Sequence, residues 1–277
     1  MMEEIIQNAL KEDIGNGDHS TLACIPADAF GEAKLLAKED GVFAGEQVLT
    51  SLFAYYDPNL TPNFFKKDGD SFVAGDILMV LQGSSRSILT TERIALNIAQ
   101  RMSAIATMTS AIVKRTKHTG VKILDTRKTT PGIRALEKMA VAIGGGENHR
   151  FGLYDMIMLK DNHIDYAGGV RKAIQQTKRY LTDKKLDLKI IVEIRSESEL
   201  KTAIEEGGVY RLLLDNFKPE ELKELLKSIP EEIQTEASGG ITIENVVDFA
   251  ETGVGYISMG ALTHSVRNLD MSLKAIF

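Results

Sequence analysis

The chain has 277 residues and a formal net charge of −6 at neutral pH, room for a barrel plus a smaller domain or for one large α/β domain. The acidic balance argues against a nucleic-acid or membrane-surface role, each of which needs a basic face. A single cysteine, Cys24, excludes an internal disulfide, and no Cys/His cluster has the spacing of a structural zinc site.

Residues 5–12 (IIQNALKE) pattern an amphipathic helix, broken at Gly15-Asn16-Gly17-Asp18. A strand is predicted at 33–37, and 41–45 turns into a helix at 46–55. Residues 64–81 alternate short apolar groups with Asp68-Gly69-Asp70 and Gly75-Asp76, turn signals between antiparallel strands. Their spacing is similar to a lipoyl- or biotinyl-type hairpin, but Ile77-Leu78-Met79-Val80 offers no carrier lysine, which favours a structural sheet. A long helix is predicted to about residue 117, with Thr90 or Thr91 as N-cap. Its stretch 102–107 is small and apolar, suited to close helix packing.

From Val121 onward the pattern becomes strand–helix–strand. Six short apolar runs each stop at polar residues. They lead into Asp125-Thr126-Arg127-Lys128, Lys160-Asp161, Glu193, Asp215-Asn216, Ser238-Gly239-Gly240 and Gly260. Helices are predicted between them at 133–139, 170–180, 197–205, 219–226 and 242–251. Strands separated by helices imply parallel pairing in a barrel or a doubly wound sheet. In α/β barrels the working residues sit where strands stop, so the six tips would converge on one mouth. The domain junction is expected within the helix before Val121.

The tips suit a highly anionic small substrate. Between Arg127 and Lys160 lie Arg127, Lys128, Arg134, Lys138, His149, Arg150 and Lys160, opposed only by Glu137, Glu147 and Asp155. In 125–132, two adjacent cations and three hydroxyls precede a helix whose first N–H groups lack partners, an anion site unless the loop is merely solvated. Three glycines at 144–146 permit close approach to a ligand or another strand. Arg150 can grip a carboxylate with two hydrogen bonds and His149 can donate another, although a His-Arg pair is often a surface ion-pair partner. Glu193 and Asp215 can bind sugar hydroxyls, hold Mg²⁺ or face a cationic transition state. They can also pair structurally with Arg127 or Lys160. Ser238-Gly239-Gly240 before a helix, and Gly260-Ala261 after the last strand, match the phosphate site of late barrel strands.

The run DTRKTTPGIRALEKMAVAIGGGENHRFGLYDMIMLKDNHI at 125–164 closely resembles the quinolinate phosphoribosyltransferase family. So do KEDIGNGD at 11–18, TERIALN at 91–97, VEI at 192–194, LLLDN at 212–216, EASGGI at 236–241 and GALTHS at 260–265, in the family's order over nearly the whole chain. The resemblance implies an amino-terminal α+β open sandwich (1–110, rejoined by 264–277) and an incomplete seven-stranded α/β barrel (111–263), with a short strand near 141–143 as the seventh. It implies transfer of the phosphoribosyl group of phosphoribosyl pyrophosphate to quinolinate with decarboxylation, giving nicotinate mononucleotide for NAD synthesis, with Mg²⁺ required. It also implies a homodimer with shared active sites, in some members a larger assembly.

Carried over by position, Arg127, His149, Arg150 and Lys160 would surround the pyridine dicarboxylate, with Thr126 beside them and Arg93 reaching in from the partner. Lys128 and Lys160 would face the pyrophosphate. Glu193 and Asp215 would lie at the ribose and the metal, and together with Lys160 form the catalytic set. Ser238, Gly239, Gly240, Met259, Gly260 and Ala261 would hold the ribose phosphate, with His264 nearby. Ala104, Met139 and Tyr154 depart from the family pattern at positions given no ligand role.

Four rivals remain. A molybdenum-transport-associated paralogue is expected to lack Lys160, and a nicotinate-using transferase needs fewer cations. A Schiff-base aldolase would want a lysine of depressed pKa, which acidic neighbours oppose. A noncatalytic phosphate module would have no use for 125–130 and 144–150. Residues 1–6 lack the basic start and apolar core of a signal peptide and no stretch approaches a membrane span, so a cytoplasmic location is expected.

Overall fold

The computed structural model describes residues 1–276, which form two compact units. The first comprises residues 1–111, 128–146 and 262–276, the second Ile112–Arg127 and Glu147–Ala261.

The first unit begins with helices α1 (Met2–Ile14) and α2 (His19–Cys24), whose N-cap Asp18 accepts from Thr21 N at 3.1 Å. Strands β1 (Phe30–Ala37) and β2 (Gly41–Val42) precede helix α3 (Glu46–Tyr56). Three strands follow: β3 (Thr61–Phe64), β4 (Ser71–Phe72) and β5 (Ile77–Ser84). β1 pairs antiparallel with both β5 and the carboxyl-terminal strand Met271–Ile276, and β3 pairs with the far edge of β5. β4 pairs with β2 instead, so 64–81 forms no single hairpin. Along β1 the side chains of Ala33, Leu35 and Ala37 are buried in alternation, the period of a half-buried strand.

Helix α3 buries Val48, Leu49, Leu52 and Phe53, each worth roughly 1.5–3 kcal/mol in transfer from water. Its entry is capped from a distance: Asp68 accepts from Gly45 N and Glu46 N at 2.6 and 3.0 Å. The long helix α4 runs Ser85–Thr116, starting before the N-cap expected at Thr90 or Thr91. Ser84 Oγ accepts from Ser87 N and so supplies that cap, while Thr91 lies buried with its hydroxyl donating to Ser87 O at 2.8 Å. The hydroxyls of Ser103 and Thr107 accept from Ala44 N and Val42 N.

Helix α5 (Arg134–Ile143) occupies 141–143, where a seventh strand was expected. It ends at Gly144, where an added Cβ would lie 2.5 Å from Ala106 O on α4. Gly144 thus permits close helix–helix approach. Fully buried Glu137 on α5 binds Arg101 Nε and Nη2 at 3.0 and 2.8 Å, and accepts from Thr130 N and Oγ1 at 3.0 and 2.9 Å. Thr263 Oγ1 donates to Lys128 O at 2.7 Å, fixing the start of the same loop.

The second unit is a parallel sheet of β6 (Lys122–Leu124), β7 (Ile157–Leu159), β8 (Ile190–Ile194), β9 (Arg211–Asp215), β10 (Gln234–Ser238) and β11 (Tyr256–Ser258). The order is β6-β11-β10-β9-β8-β7, the expected α/β architecture of an incomplete barrel. Each of the six apolar runs is one of these strands. Beyond β6, Glu147 adds a single parallel bridge to Leu124, all that stands in the seventh position. The crossovers carry α6 (Asp161–Ala167), α7 (Val170–Lys184), α8 (Glu197–Glu206), α9 (Pro219–Leu226) and α10 (Val246–Ala250). Ser196 caps α8 by accepting from Glu199 N. α10 starts at Val246, four residues later than predicted, because Asn245 and Thr242 close a turn first, with Thr242 N donating to Asn245 Oδ1 at 2.8 Å.

Candidate active site

Register places the polar tips at one end of the sheet. Leu159 aligns with Val192, Ile194 with Leu214, Ser238 with Asp215, and Ser258 with Leu124. Parallel strands in this register bring Lys160, Glu193, Asp215, Ser238 and Asp125 to the same carboxyl-terminal rim. Alternation then puts Glu193, Asp215 and Ser238 on the face opposite the apolar Val192, Leu214 and Ala237.

The acidic half of the rim is Glu193 and Asp215. Glu193 is buried and its Oε1 accepts from Asp161 N at 3.2 Å. Burial pushes its carboxyl above the ordinary carboxylate range against that hydrogen bond, and the Asp215 charge adds to the rise. Burial raises the Asp215 carboxyl too, opposed by the Lys160 ammonium and the Ser238 hydroxyl. Asn216 Nδ2 donates to Asp215 Oδ2 at 2.6 Å. A cavity of about 980 Å³ opens here, lined by Asp161, Glu193, Asp215, Asn216 and Phe217 and extending to Glu220 on α9. Among the described residues no three His, Cys, Asp or Glu side chains converge to cage a metal ion. Two half-dry carboxylates nonetheless suit Mg²⁺, which commonly takes one or two carboxylates and completes its shell from substrate phosphates.

The cationic half follows β6 and precedes β7. Arg127 is exposed, with Thr126 half-buried before it. Arg150 is buried and its Nη1 donates to Met156 O at 3.0 Å. Burial lowers the Arg150 guanidinium from its ordinary value and the nearby Arg127 charge lowers it further, with Asp155 opposing. Asp155 in turn accepts from Phe151 N and Gly152 N at 2.6 and 3.1 Å, tying down the chain after Arg150. Lys160 is exposed at the start of α6, and its charge acts on both Glu193 and Asp215.

His149 takes an unexpected direction. Its main-chain N donates to Asp125 Oδ1 at 2.8 Å, its Nδ1 accepts from Arg150 N at 2.6 Å, and its Nε2 lies 3.3 Å from Glu236 Oε2. The ring is buried and faces the sheet interior.

The tip after β10 is shaped by backbone. Gly239 has φ +93°, and an added Cβ would strike Asn216, whose main-chain N would be 2.8 Å away. Asn216 itself has φ +61° and donates its N–H to Ser238 O at 2.9 Å, so the tips of β9 and β10 lock together. Gly240 also has positive φ and is exposed. Met259 is buried and donates its N–H to Leu124 O at 3.0 Å, with Gly260 and Ala261 half-buried after it. Arg93, exposed on α4, and Lys128, exposed before α5, belong to the first unit.

Beneath the rim lies a polar column that the sequence reading passed over. Arg211 Nη1 binds Glu236 Oε2 at 2.9 Å, while its Nε and Nη2 donate to Gln234 Oε1 at 3.1 and 2.8 Å. The guanidinium also lies 3.9 Å from the centre of the Tyr256 ring. The signal was present in QTEAS, where Gln234, Glu236 and Ser238 alternate at the period of one strand face. For Glu236, burial pushes the carboxyl up but is outweighed by His149, Ser258 and Arg211, leaving it below the ordinary range.

Residues 18–103 match the quinolinate phosphoribosyl transferase N-terminal domain, and residues 105–274 match its C-terminal domain. The chain belongs to the quinolinate phosphoribosyltransferase family. Within that family it is 43% identical over 272 residues to the probable nicotinate-nucleotide pyrophosphorylase [carboxylating] of Bacillus subtilis, covering 98% of this chain and 92% of that one. The chloroplastic nicotinate-nucleotide pyrophosphorylase [carboxylating] of Oryza sativa is 44% identical over 288 residues, covering 99% of this chain and 77% of that one. The crystal structure of NadC from Streptococcus pyogenes superposes with a TM-score of 0.92 at 40% identity, covering 99% and 95% of the two chains. The nicotinate-nucleotide pyrophosphorylase of Francisella tularensis gives 0.92 at 33%, with coverage of 99% and 96%.

Proposed function

We propose that the carboxyl-terminal rim of the parallel sheet is the active site of this quinolinate phosphoribosyltransferase, its cationic half holding quinolinate and its acidic half the sugar. The enzyme transfers the phosphoribosyl group of phosphoribosyl pyrophosphate to quinolinate with decarboxylation. The products are nicotinate mononucleotide, pyrophosphate and carbon dioxide, and the reaction serves NAD biosynthesis.

The observation that carries the site assignment is the Arg127–Arg150 pair. The Arg150 guanidinium is buried with the Arg127 charge nearby, and both disfavour its charged form, with Asp155 opposing. A bound dicarboxylate relieves both burial and repulsion, and arginine forks match carboxylates two bonds at a time. Thr126 and Lys160 flank this half. His149, whose ring nitrogens face Arg150 N and Glu236, serves quinolinate by shaping the rim.

Glu193 and Asp215 face the ribose. As pyrophosphate leaves, positive charge develops at the ribose carbon, and two ionised carboxylates in a half-dry site stabilise it. Both would also hold Mg²⁺, which would supply charge neutralisation for the pyrophosphate. Lys160 offsets the same phosphate charge. Ser238, Gly239 and Gly240, with Gly260 and Ala261 after the buried Met259, form the site for the 5-phosphate at the late-strand position where barrels bind phosphate. After the ring nitrogen is alkylated it carries positive charge beside the 2-carboxylate. The C–CO₂ bond then breaks, the ring takes up the electron pair, and a proton replaces the carboxylate.

Arg93 of the partner subunit completes the quinolinate site in a homodimer. Among the described residues no helix is long and apolar enough to cross a membrane. The test is a mixture of purified chain, Mg²⁺, phosphoribosyl pyrophosphate and carboxyl-labelled quinolinate, followed for carbon dioxide release with nicotinate as comparison. Release only with quinolinate is expected; turnover of nicotinate instead would overturn the reading. Elution as a dimer in size-exclusion chromatography, with activity restored on mixing Arg93→Ala and Lys160→Ala chains, checks the shared site.

A further inference from the structure

Glu236 is a fully buried carboxylate in mid-strand, below the rim and outside every role described above. Buried charges are rare unless paired, and breaking such a pair leaves an uncompensated charge, so the position calls for a reason. Its Oε2 has two neighbours, Arg211 Nη1 at 2.9 Å on one side and His149 Nε2 at 3.3 Å on the other. Its Oε1 has no hydrogen-bond partner among the described residues. The carboxylate is thus turned toward Arg211 and His149 with one oxygen left unsatisfied, although Ser258 is close by.

His149 responds to that carboxylate in a definite way. Its Nδ1 accepts from Arg150 N at 2.6 Å, so Nδ1 carries no proton. The ring proton of the neutral imidazole then sits on Nε2, which lies 3.3 Å from Glu236 Oε2, within ion-pair reach though outside good hydrogen-bond alignment. A carboxylate beside one ring nitrogen selects the tautomer that donates to it, as it does behind metal-bound and catalytic histidines. The selected tautomer leaves Nδ1 to accept, and what it accepts is the main-chain N–H of Arg150. That arginine is the one proposed above to grip quinolinate. Asp125 holds His149 from its own N–H at 2.8 Å, so the ring is fixed at both ends.

We propose that Glu236 is a positioning residue for quinolinate. Placed between Arg211 and His149, it selects the Nε2-protonated tautomer of His149, which holds the Arg150 main chain at the rim. The inference rests on the reading of Arg150 as a quinolinate ligand. Glu236 touches no substrate and acts through two residues.

The experiment compares the wild-type enzyme with Glu236→Gln and with the double variant Glu236→Gln/Arg211→Gln, which removes the guanidinium that the single variant leaves uncompensated. Two quantities are read on each folded protein: the dissociation constants of quinolinate and of phosphoribosyl pyrophosphate by calorimetry, and the His149 ring-nitrogen shifts by ¹⁵N NMR. Wild type is expected to show an acceptor-type Nδ1 and a protonated Nε2. Both variants are expected to lose that tautomer preference and to bind quinolinate about tenfold more weakly, the factor for one hydrogen bond to a charged group. Phosphoribosyl pyrophosphate affinity should stay within twofold. Quinolinate affinity restored in the double variant would assign the loss to the stranded Arg211 charge and overturn the proposal, as would an unchanged His149 tautomer. If the wild-type chain binds no quinolinate, the active-site reading fails and this inference with it. If wild type binds and both variants bind equally well, this inference alone fails.

Discussion

Replacing Glu137 by alanine separates a buried ion pair from a surface one within a single chain. Glu137 has no exposed side-chain surface and receives four hydrogen bonds, two from Arg101 and two from Thr130. The Arg101 side chain is 19% exposed, so its charge would stay largely out of water once the carboxylate is gone. Arg101 would keep only the carbonyls of Val266 and Thr263. Removing one partner of such a pair costs about 3–5 kcal/mol, against a total stability of roughly 5–15 kcal/mol. At about 2–4 °C per kcal/mol for a chain of this size, the melting midpoint should fall by roughly 6–20 °C. Glu224→Ala is the control. That carboxylate binds Lys227 at 2.7 Å, as short as the buried bonds, but the two side chains are 70% and 65% exposed. Solvent screening makes this contact worth little, and the midpoint should not move measurably. Urea and thermal unfolding by circular dichroism decide the matter. Similar shifts for the two variants would refute the claim that burial, not distance, sets the value of these pairs.

Glu193→Gln and Asp215→Asn should abolish turnover yet raise the melting midpoint by roughly 1–3 °C, since each removes a charge that burial disfavours. The pH dependence has the same origin. Both carboxyls are raised in the folded chain, so their favourable contribution is present below the ordinary carboxylate range and is lost as pH rises through the raised values. Phosphoribosyl pyrophosphate binding, which needs both ionised, should weaken on acidification through that same window; a flat titration would contradict the assignment. Gly239→Ala should weaken phosphoribosyl pyrophosphate binding about tenfold or more with quinolinate affinity little changed, because φ +93° and the approach of Asn216 leave no space for a methyl group. Arg150→Lys should raise the quinolinate KM about tenfold while leaving single-turnover decarboxylation rates within a few-fold, if the arginine grips the retained 3-carboxylate. A large loss confined to the chemical step would place it on the carboxylate that leaves.

Much of the second unit was legible because parallel strands are nearly continuous apolar runs, and each of the six runs became a strand. The tips Lys160, Glu193, Asp215 and Ser238 follow from that alone, since register carries them to one rim. Less visible were features decided by contact at a distance. Residues 141–143 are as apolar as a strand, yet α5 continues through them because Gly144 lets it close on Ala106. Ser84 starts α4 ahead of the cap expected at Thr90 or Thr91. The segment 242–245 closes an Asn245 turn where helix was expected. The sequence offers His149 beside Arg150 as a donor to a carboxylate, while its ring lies 3.3 Å from Glu236, some ninety residues away in the chain, and no local pattern reports that. Arg211 and Glu236 were hidden for a related reason, as polar residues in strands otherwise judged by their apolar content.

The interlocked charges inside the sheet also bear on how the enzyme meets its substrates. Arg211 is clamped by Gln234, Glu236 and Tyr256, and rotating any one of these side chains would strand a charge in a dry place. The walls below the rim are therefore set during folding. Substrates bound at the proposed rim would meet a field already aligned for them, and their binding energy would go into chemistry rather than into rearranging the protein.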